Sequence, residues 1–278
     1  MRNFLRKLFY ALPTNLRFFA RRLFYLPVDT YEYLTHQRRP PYPPKGLIYT
    51  GSGDFKDQGE KLLQDFIQYG QLRPSDKVLD IGSGIGRLAI PLAKYLDQKG
   101  SYEGFDVIEY GVQWCQKYIT SEYPNFNFTH IPLHNDLYTK EGQNATTFQF
   151  PYPKATFDKA ILLSVFTHML PAEVANYIAE IKRVLKKGGL CYATFFIINE
   201  ESQRMMADQF TFPFEYDHHF LMDQKVQSAN VAYKEFYLKE LFKSEGLSIV
   251  NIHYGWWCGR DKAHCVQFQD VIIIEQVP

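Results

Sequence analysis

The stretch Val78–Leu79–Asp80–Ile81–Gly82–Ser83–Gly84–Ile85–Gly86 runs an apolar strand straight into three glycines, and a helix-forming run follows. A strand, a glycine turn and a helix in that order form the opening of a β–α unit. The pattern then repeats. Apolar runs predict strands at 77–80, 101–106, 125–131, 157–163, 190–198, 247–253 and 271–275. Between them lie helical patterns at 88–96, 108–122, 174–185 and 231–244, with a further helix at 58–69 ahead of the first strand. Leu62, Leu63, Phe66 and Ile67 give that first helix one apolar face, and Gly70 suits its end. Val174, Tyr177, Ile178, Ile181, Val184 and Leu185 repeat at helical spacing up to Gly188–Gly189. The run from Leu190 to Ile198 is apolar throughout, as in a strand buried on both faces. Alternation of this kind predicts an α/β fold, a doubly wound and mostly parallel seven-stranded sheet with helices on both faces. Ligands in such sheets bind at the carboxyl ends of the strands.

The 278 residues divide into an arm and a domain. Residues 1–56 form a basic, aromatic N-terminal arm with the extended, Pro-rich linker Arg39-Pro40-Pro41-Tyr42-Pro43-Pro44-Lys45-Gly46. Residues 57–278 form the domain, with an aromatic insertion at 199–230 that is too long for a tight connection and is read as a lid. Net charge is +1, which offers no global field for nucleic acid, and no such partner is expected. The charge is uneven: residues 1–28 carry Arg2, Arg6, Lys7, Arg17, Arg21 and Arg22 and no acid. Such a segment can lie in a membrane interface, pack on its own domain, or cover a pocket. No signal peptide is read, so a cytoplasmic protein with reduced cysteines is expected, membrane association through residues 1–28 remaining open. His253, Cys258, His264 and Cys265 lie near one another but match no zinc spacing, and no metal is expected.

The glycine turn discriminates among ligands. A dinucleotide fingerprint requires Gly-x-Gly-x-x-Gly, but Arg87 occupies the third glycine position. A phosphate loop of the Gly-Lys-Ser/Thr type is absent. Asp80 stands just before the turn, where a carboxylate repels a pyrophosphate and suits an ammonium.

Four segments in order now resemble the class I S-adenosylmethionine-dependent methyltransferases: 78–87, Gly104-Phe105-Asp106, 157–168 and Arg183-Val184-Leu185-Lys186-Lys187-Gly188-Gly189. The resemblance implies a Rossmann-like fold and S-adenosyl-L-methionine as cofactor, with S-adenosyl-L-homocysteine as product. It also implies roles. Gly82, Ser83, Gly84, Gly86 and Arg87 would form the turn around the methionine part, and Asp80 would orient it. Asp106 would accept from the ribose hydroxyls and Val107 would flank the adenine. Ser164 would touch the cofactor through its main chain. The family often places an acid directly after the third strand; here Pro132 stands near that place, so Leu133 or Asp136 would serve the adenine.

The acceptor is less constrained. Ser164-Val165-Phe166-Thr167 replaces the Asn/Asp-Pro-Pro-Tyr common in amino-methylating relatives, which favours a small-molecule, sugar or lipid-linked acceptor, methylated on oxygen. A hydroxyl needs a base, and His168 is the candidate; it can equally be a packed histidine satisfied by a carbonyl. His218 and His219 stand second. Trp256 and Trp257 can stack on a substrate ring or cover the sheet end. The alternative function is a cofactor-binding interaction protein of the same fold that methylates nothing.

Overall fold

Residues on β1 alternate between two cores, and this places the first strand inside the sheet. Leu79 and Ile81 face one core and Val78 the other, all fully buried. The same alternation recurs on Ala160, Ile161 and Leu162 and on Cys191, Tyr192 and Ala193. The computed structural model describes residues 14–49, 51, 53–134, 142–206 and 210–277. Its strands are β1 (Lys77–Ile81), β2 (Ser101–Asp106), β3 (Phe126–His130), β4 (Phe157–Leu162), β5 (Leu185–Phe195) and β6 (Ile197–Ile198). They continue as β7 (Phe214–Glu215), β8 (His219–Leu221), β9 (Val231–Lys234), β10 (Leu247–His253) and β11 (Asp270–Gln276). Its helices are α1 (Thr14–Leu34), α2 (Phe55–Tyr69), α3 (Ala89–Tyr95), α4 (Glu109–Cys115), α5 (Pro171–Val184), α6 (Glu200–Met205) and α7 (Glu235–Ser244).

The main sheet has seven strands in the order β10-β11-β5-β4-β1-β2-β3, and β11 runs against both its neighbours. Helices α2, α3 and α4 pack on one face through Leu63, Phe66, Leu92 and Val112; α5 and α7 cover the other through Ile178, Ile181, Leu238 and Phe242. This is the doubly wound, mostly parallel sheet the alternation predicts. β1 pairs with β2 on one side and β4 on the other, with Asp80 level with both Gly104 and Ile161. The chain leaves β1 in opposite directions toward those neighbours, so their carboxyl ends open a crevice.

Two expectations change. The pattern at 231–244 is not one helix: Val231–Lys234 is β9, and α7 starts at Glu235. Val231, Ala232 and Tyr233 are fully buried between β6 and β8, and a short apolar run fits a buried strand as well as a helix start. The glycines at 188–189 do not end a helix, which stops at Val184; they lie within β5, where Gly188 takes a left-handed φ of 75°.

The aromatic stretch read as a lid contains α6, β7 and β8. With β6 and β9 these strands make a second sheet in the order β6-β9-β8-β7. Phe212 and Phe220 pack with Phe196 and Trp257 in a separate small core. Trp257 therefore covers the sheet end, and its indole Nε1 donates to Asp270 at 2.7 Å. Asp270 is wholly buried and also accepts from the N–H of Ile197 at 2.6 Å and of Gly255 at 2.7 Å, tying both sheets to one carboxylate. Asp270→Ala leaves these three donors without a partner, and each such loss costs about 1–3 kcal/mol. A drop in unfolding free energy of about 3 kcal/mol or more in urea is the expected result. A midpoint within 0.5 M of wild type, at about 1–3 kcal/mol per M, contradicts this reading.

Candidate functional site

The turn after β1 folds back on β2. The N–H groups of Gly82 and Ser83 both donate to the Phe105 carbonyl, at 2.9 and 3.0 Å. Gly82 has φ 80°, and a Cβ there would stand 2.5 Å from Val165 Cγ2, so no other residue fits. Gly86 has φ 84°, and a Cβ would meet Ile119 Cδ1 at 2.8 Å; this glycine serves packing against α4 and the turn that extends it.

Two carboxylates stand at neighbouring strand ends. Asp80 is almost fully buried and accepts from the Tyr102 hydroxyl at 2.7 Å. Burial pushes its pKa up to about 7; the Tyr102 bond opposes this and nearby Asp106 adds to it. Asp106 accepts from Gly84 N at 2.8 Å on one oxygen, and from Ile108 N at 2.8 Å and Tyr49 Oη at 3.3 Å on the other. Burial raises its pKa too, against those bonds. The carboxylate thus both closes the local turn and faces a cavity.

That cavity, about 320 Å³, runs along the ends of β1, β2 and β4. Its wall brings together Asp80, Gly82, Ser83, Gly84, Arg87, Asp106, Val107, Leu133, Ser164 and His168. Gly86 is not on the wall, and Asp136 lies outside the described residues. Ser164 holds a left-handed φ of 58°, unusual for a residue with a side chain and typical of ligand-facing positions. Its N–H donates to Thr194 Oγ1 at 2.8 Å and its hydroxyl to Gln269 Oε1 at 2.9 Å. His168 sits 2.9 Å from the Ser228 carbonyl through Nδ1. A carbonyl only accepts, so Nδ1 carries the proton and Nε2 is the basic nitrogen. Burial holds the His168 pKa below its ordinary value, so the ring is neutral near pH 7. Segment 199–230 reaches the cavity-lining His168 through the backbone of Ser228 and Ala229; His218 and His219 do not line the cavity.

Sequence reasoning missed Tyr49, Gly51, His134 and Glu173, which also line the wall. Tyr49 is 57 residues from Asp106, and no local pattern reveals that approach. The Gly51 loop carries a signal in hindsight: a Cβ at Gly51 would collide with the Arg87 guanidinium, so this glycine admits the arginine to the cavity. The guanidinium also rests over the Phe55 ring, 5.3 Å from its centroid.

The residues fit a sulfonium cofactor better than a phosphate one. The wall carries two buried carboxylates, Asp80 and Asp106, beside the glycine turn, and among the described residues its arginine is Arg87.

Comparison with known proteins agrees. A family model described as a methyltransferase domain matches residues 79–193. A demethylmenaquinone methyltransferase of Symbiobacterium thermophilum is 27% identical over 132 residues, 48% of this chain and 47% of that protein. The chain thus spans about half the length of this curated relative. Among solved structures, a protein from Pyrococcus horikoshii OT3 superposes with a TM-score of 0.56 at 17% identity, covering 82% of this chain and 94% of that one. The [4+2]-cyclase SpnF gives 0.53 at 16% identity over 82% and 84%. These two share the fold. The family match begins in β1 and ends in β5, spanning the glycine turn and both strand-end carboxylates on a sheet of this order, and over those residues the chain is similar to the methyltransferase domains.

Proposed function

We propose that the protein methylates a hydroxyl group of a small-molecule, sugar or lipid-linked acceptor. The observation that carries this reading is His168: a neutral imidazole on the cavity wall, held by the backbone of Ser228, to which its Nδ1–H donates, and of Ala229. When bound, S-adenosylmethionine supplies an electrophilic methyl group. The chain's own residues do the rest. Asp80 attracts the ammonium, Arg87 the carboxylate, and Asp106 the ribose hydroxyls. Val107 and Leu133 flank the adenine. His168 takes the proton from the acceptor hydroxyl as the oxygen attacks, and the buried walls exclude water that would compete. The demethylmenaquinone methyltransferase, by its name, acts on a small molecule, which supports an acceptor of that size.

The test is release of S-adenosylhomocysteine from S-adenosylmethionine across two acceptor panels, phenols and sugars against primary amines. Turnover with hydroxylated acceptors and not with amines is expected; the reverse overturns the oxygen assignment. A second reading has one observation behind it: a neighbour of the same fold is a cyclase. If the cofactor binds tightly and no acceptor class turns over, that reading, a cofactor-binding protein without methyl transfer, takes its place.

Asp80 gives a pH signature. Its ordinary value of 3.8 is raised to about 7 in the folded protein. This shift favours the folded apoprotein at low pH, and the contribution is lost as pH rises from about 4 through about 7. Ammonium binding needs the carboxylate, so cofactor affinity runs the other way. The dissociation constant for S-adenosylhomocysteine should rise about fivefold from pH 7 to pH 6, and Asp80→Asn should flatten this slope. An unchanged slope in that variant places the titration elsewhere. Arg87→Met should weaken binding about tenfold to a hundredfold through loss of one charge-assisted bond. Calorimetry showing wild-type affinity removes Arg87 from the carboxylate end.

A further inference from the structure

The arm helix is two-faced. Phe18 and Arg22 point at the domain and Asp29 and Glu32 at the linker: Phe18 meets the rings of Tyr49 and Tyr110, and Arg22 lies over Tyr110. Asp29 accepts from the N–H of Lys45 and Gly46, and Glu32 pairs with Lys45 and Arg38. Those are the only acids in α1. The remaining surface is apolar: Leu16, Phe19, Leu23, Phe24, Leu26 and Leu34 are more than half exposed, Phe24 at 76%. Arg17 and Arg21 sit one helical turn apart along the edge of that surface, and no acid occurs between Met1 and Val28.

We propose that this outward face of α1 lies on an anionic lipid surface. An apolar face bordered by arginines, with both acids of the helix turned onto the linker behind it, is what a helix lying in a lipid headgroup layer requires. No helix among the described residues is long and apolar enough to cross a membrane, so the helix lies on the bilayer and does not span it. A second copy of the chain fits less well, since it would set the arginine edges of two positive helices against each other. The position has a consequence for the site. Phe18 touches Tyr49, and Tyr49 lines the cofactor cavity, so the seat of the helix adjoins the cavity wall.

The test is sedimentation of the full chain with vesicles of phosphatidylcholine alone or with about a third phosphatidylglycerol. Binding to the mixed vesicles only, weakened by 0.5 M NaCl, is expected. Leu23→Asp should reduce the bound fraction about tenfold, and Phe24→Ser should reduce it with an unchanged melting temperature, both positions being exposed. Wild-type protein left in the supernatant with both vesicle types overturns the proposal. So does equal binding by both variants. A dimer in solution that Leu23→Asp dissociates, without vesicle binding, assigns the face to a second copy instead. S-adenosylhomocysteine binding in the same variants should be unchanged, which separates failure here from failure of the methyl-transfer reading.

Discussion

Asp106→Ala is expected to raise the dissociation constant for S-adenosylhomocysteine at least about a hundredfold. In the proposed reading the Asp106 carboxylate accepts from the pair of ribose hydroxyls, and a hydrogen bond to a charged acceptor is worth about 1.5–3 kcal/mol. Two such bonds account for the loss. The same side chain also holds Gly84 N and Ile108 N, so the variant will be less stable before any ligand is added. The informative readout is therefore the ligand-induced rise in melting temperature, not the melting temperature itself. The rise should vanish in the alanine variant and survive in part in Asp106→Asn, which keeps one acceptor oxygen. A full-sized rise in Asp106→Ala would mean that the carboxylate only closes its own turn.

His168→Gln is expected to lower kcat by about 100-fold to 1,000-fold, the usual worth of a positioned base. Binding of S-adenosylhomocysteine should change less than twofold, because in the proposed reading His168 acts on the acceptor and not on the cofactor. The pH profile separates this from a packing role. With its pKa held below the ordinary histidine value of 6.5 by burial, His168 is already deprotonated at pH 7. The wild-type rate should then rise with pH only on the acid side and flatten near neutrality. The glutamine variant should lose that acid limb. A histidine that merely fills space beside Ser228 would lower stability and leave the limb in place.

The fold was legible because two periodicities agreed. Strand alternation on β1, β4 and β5 and helical spacing on α5 each survive in the structure as residues on opposite cores. Boundaries failed where a short apolar run carries no period, as at Val231–Lys234. Half of the cavity wall was legible as well, since the glycine turn, Asp80 and Asp106 lie at strand ends that the parallel order must bring together. The other half was not. Tyr49 and Gly51 come from ahead of α2, and Glu173 sits at the start of α5, where the sequence shows only an amphipathic helix. Such residues meet the site through tertiary packing, which leaves no trace in local spacing. The arm was ambiguous for a related reason. Its inward face is defined by partners at Lys45, Gly46 and Tyr110, none of which a helical wheel reveals.

The central claim is that the cavity beside Asp80 and Asp106 holds a sulfonium cofactor and not a phosphate-bearing one. Titration calorimetry of the full chain with S-adenosylhomocysteine, then with NADH and with ATP, tests it most directly. One-to-one binding of S-adenosylhomocysteine, undisturbed by millimolar NADH or ATP, is the predicted result. Saturable binding of either nucleotide at the same site, or no binding of S-adenosylhomocysteine at all, would contradict it.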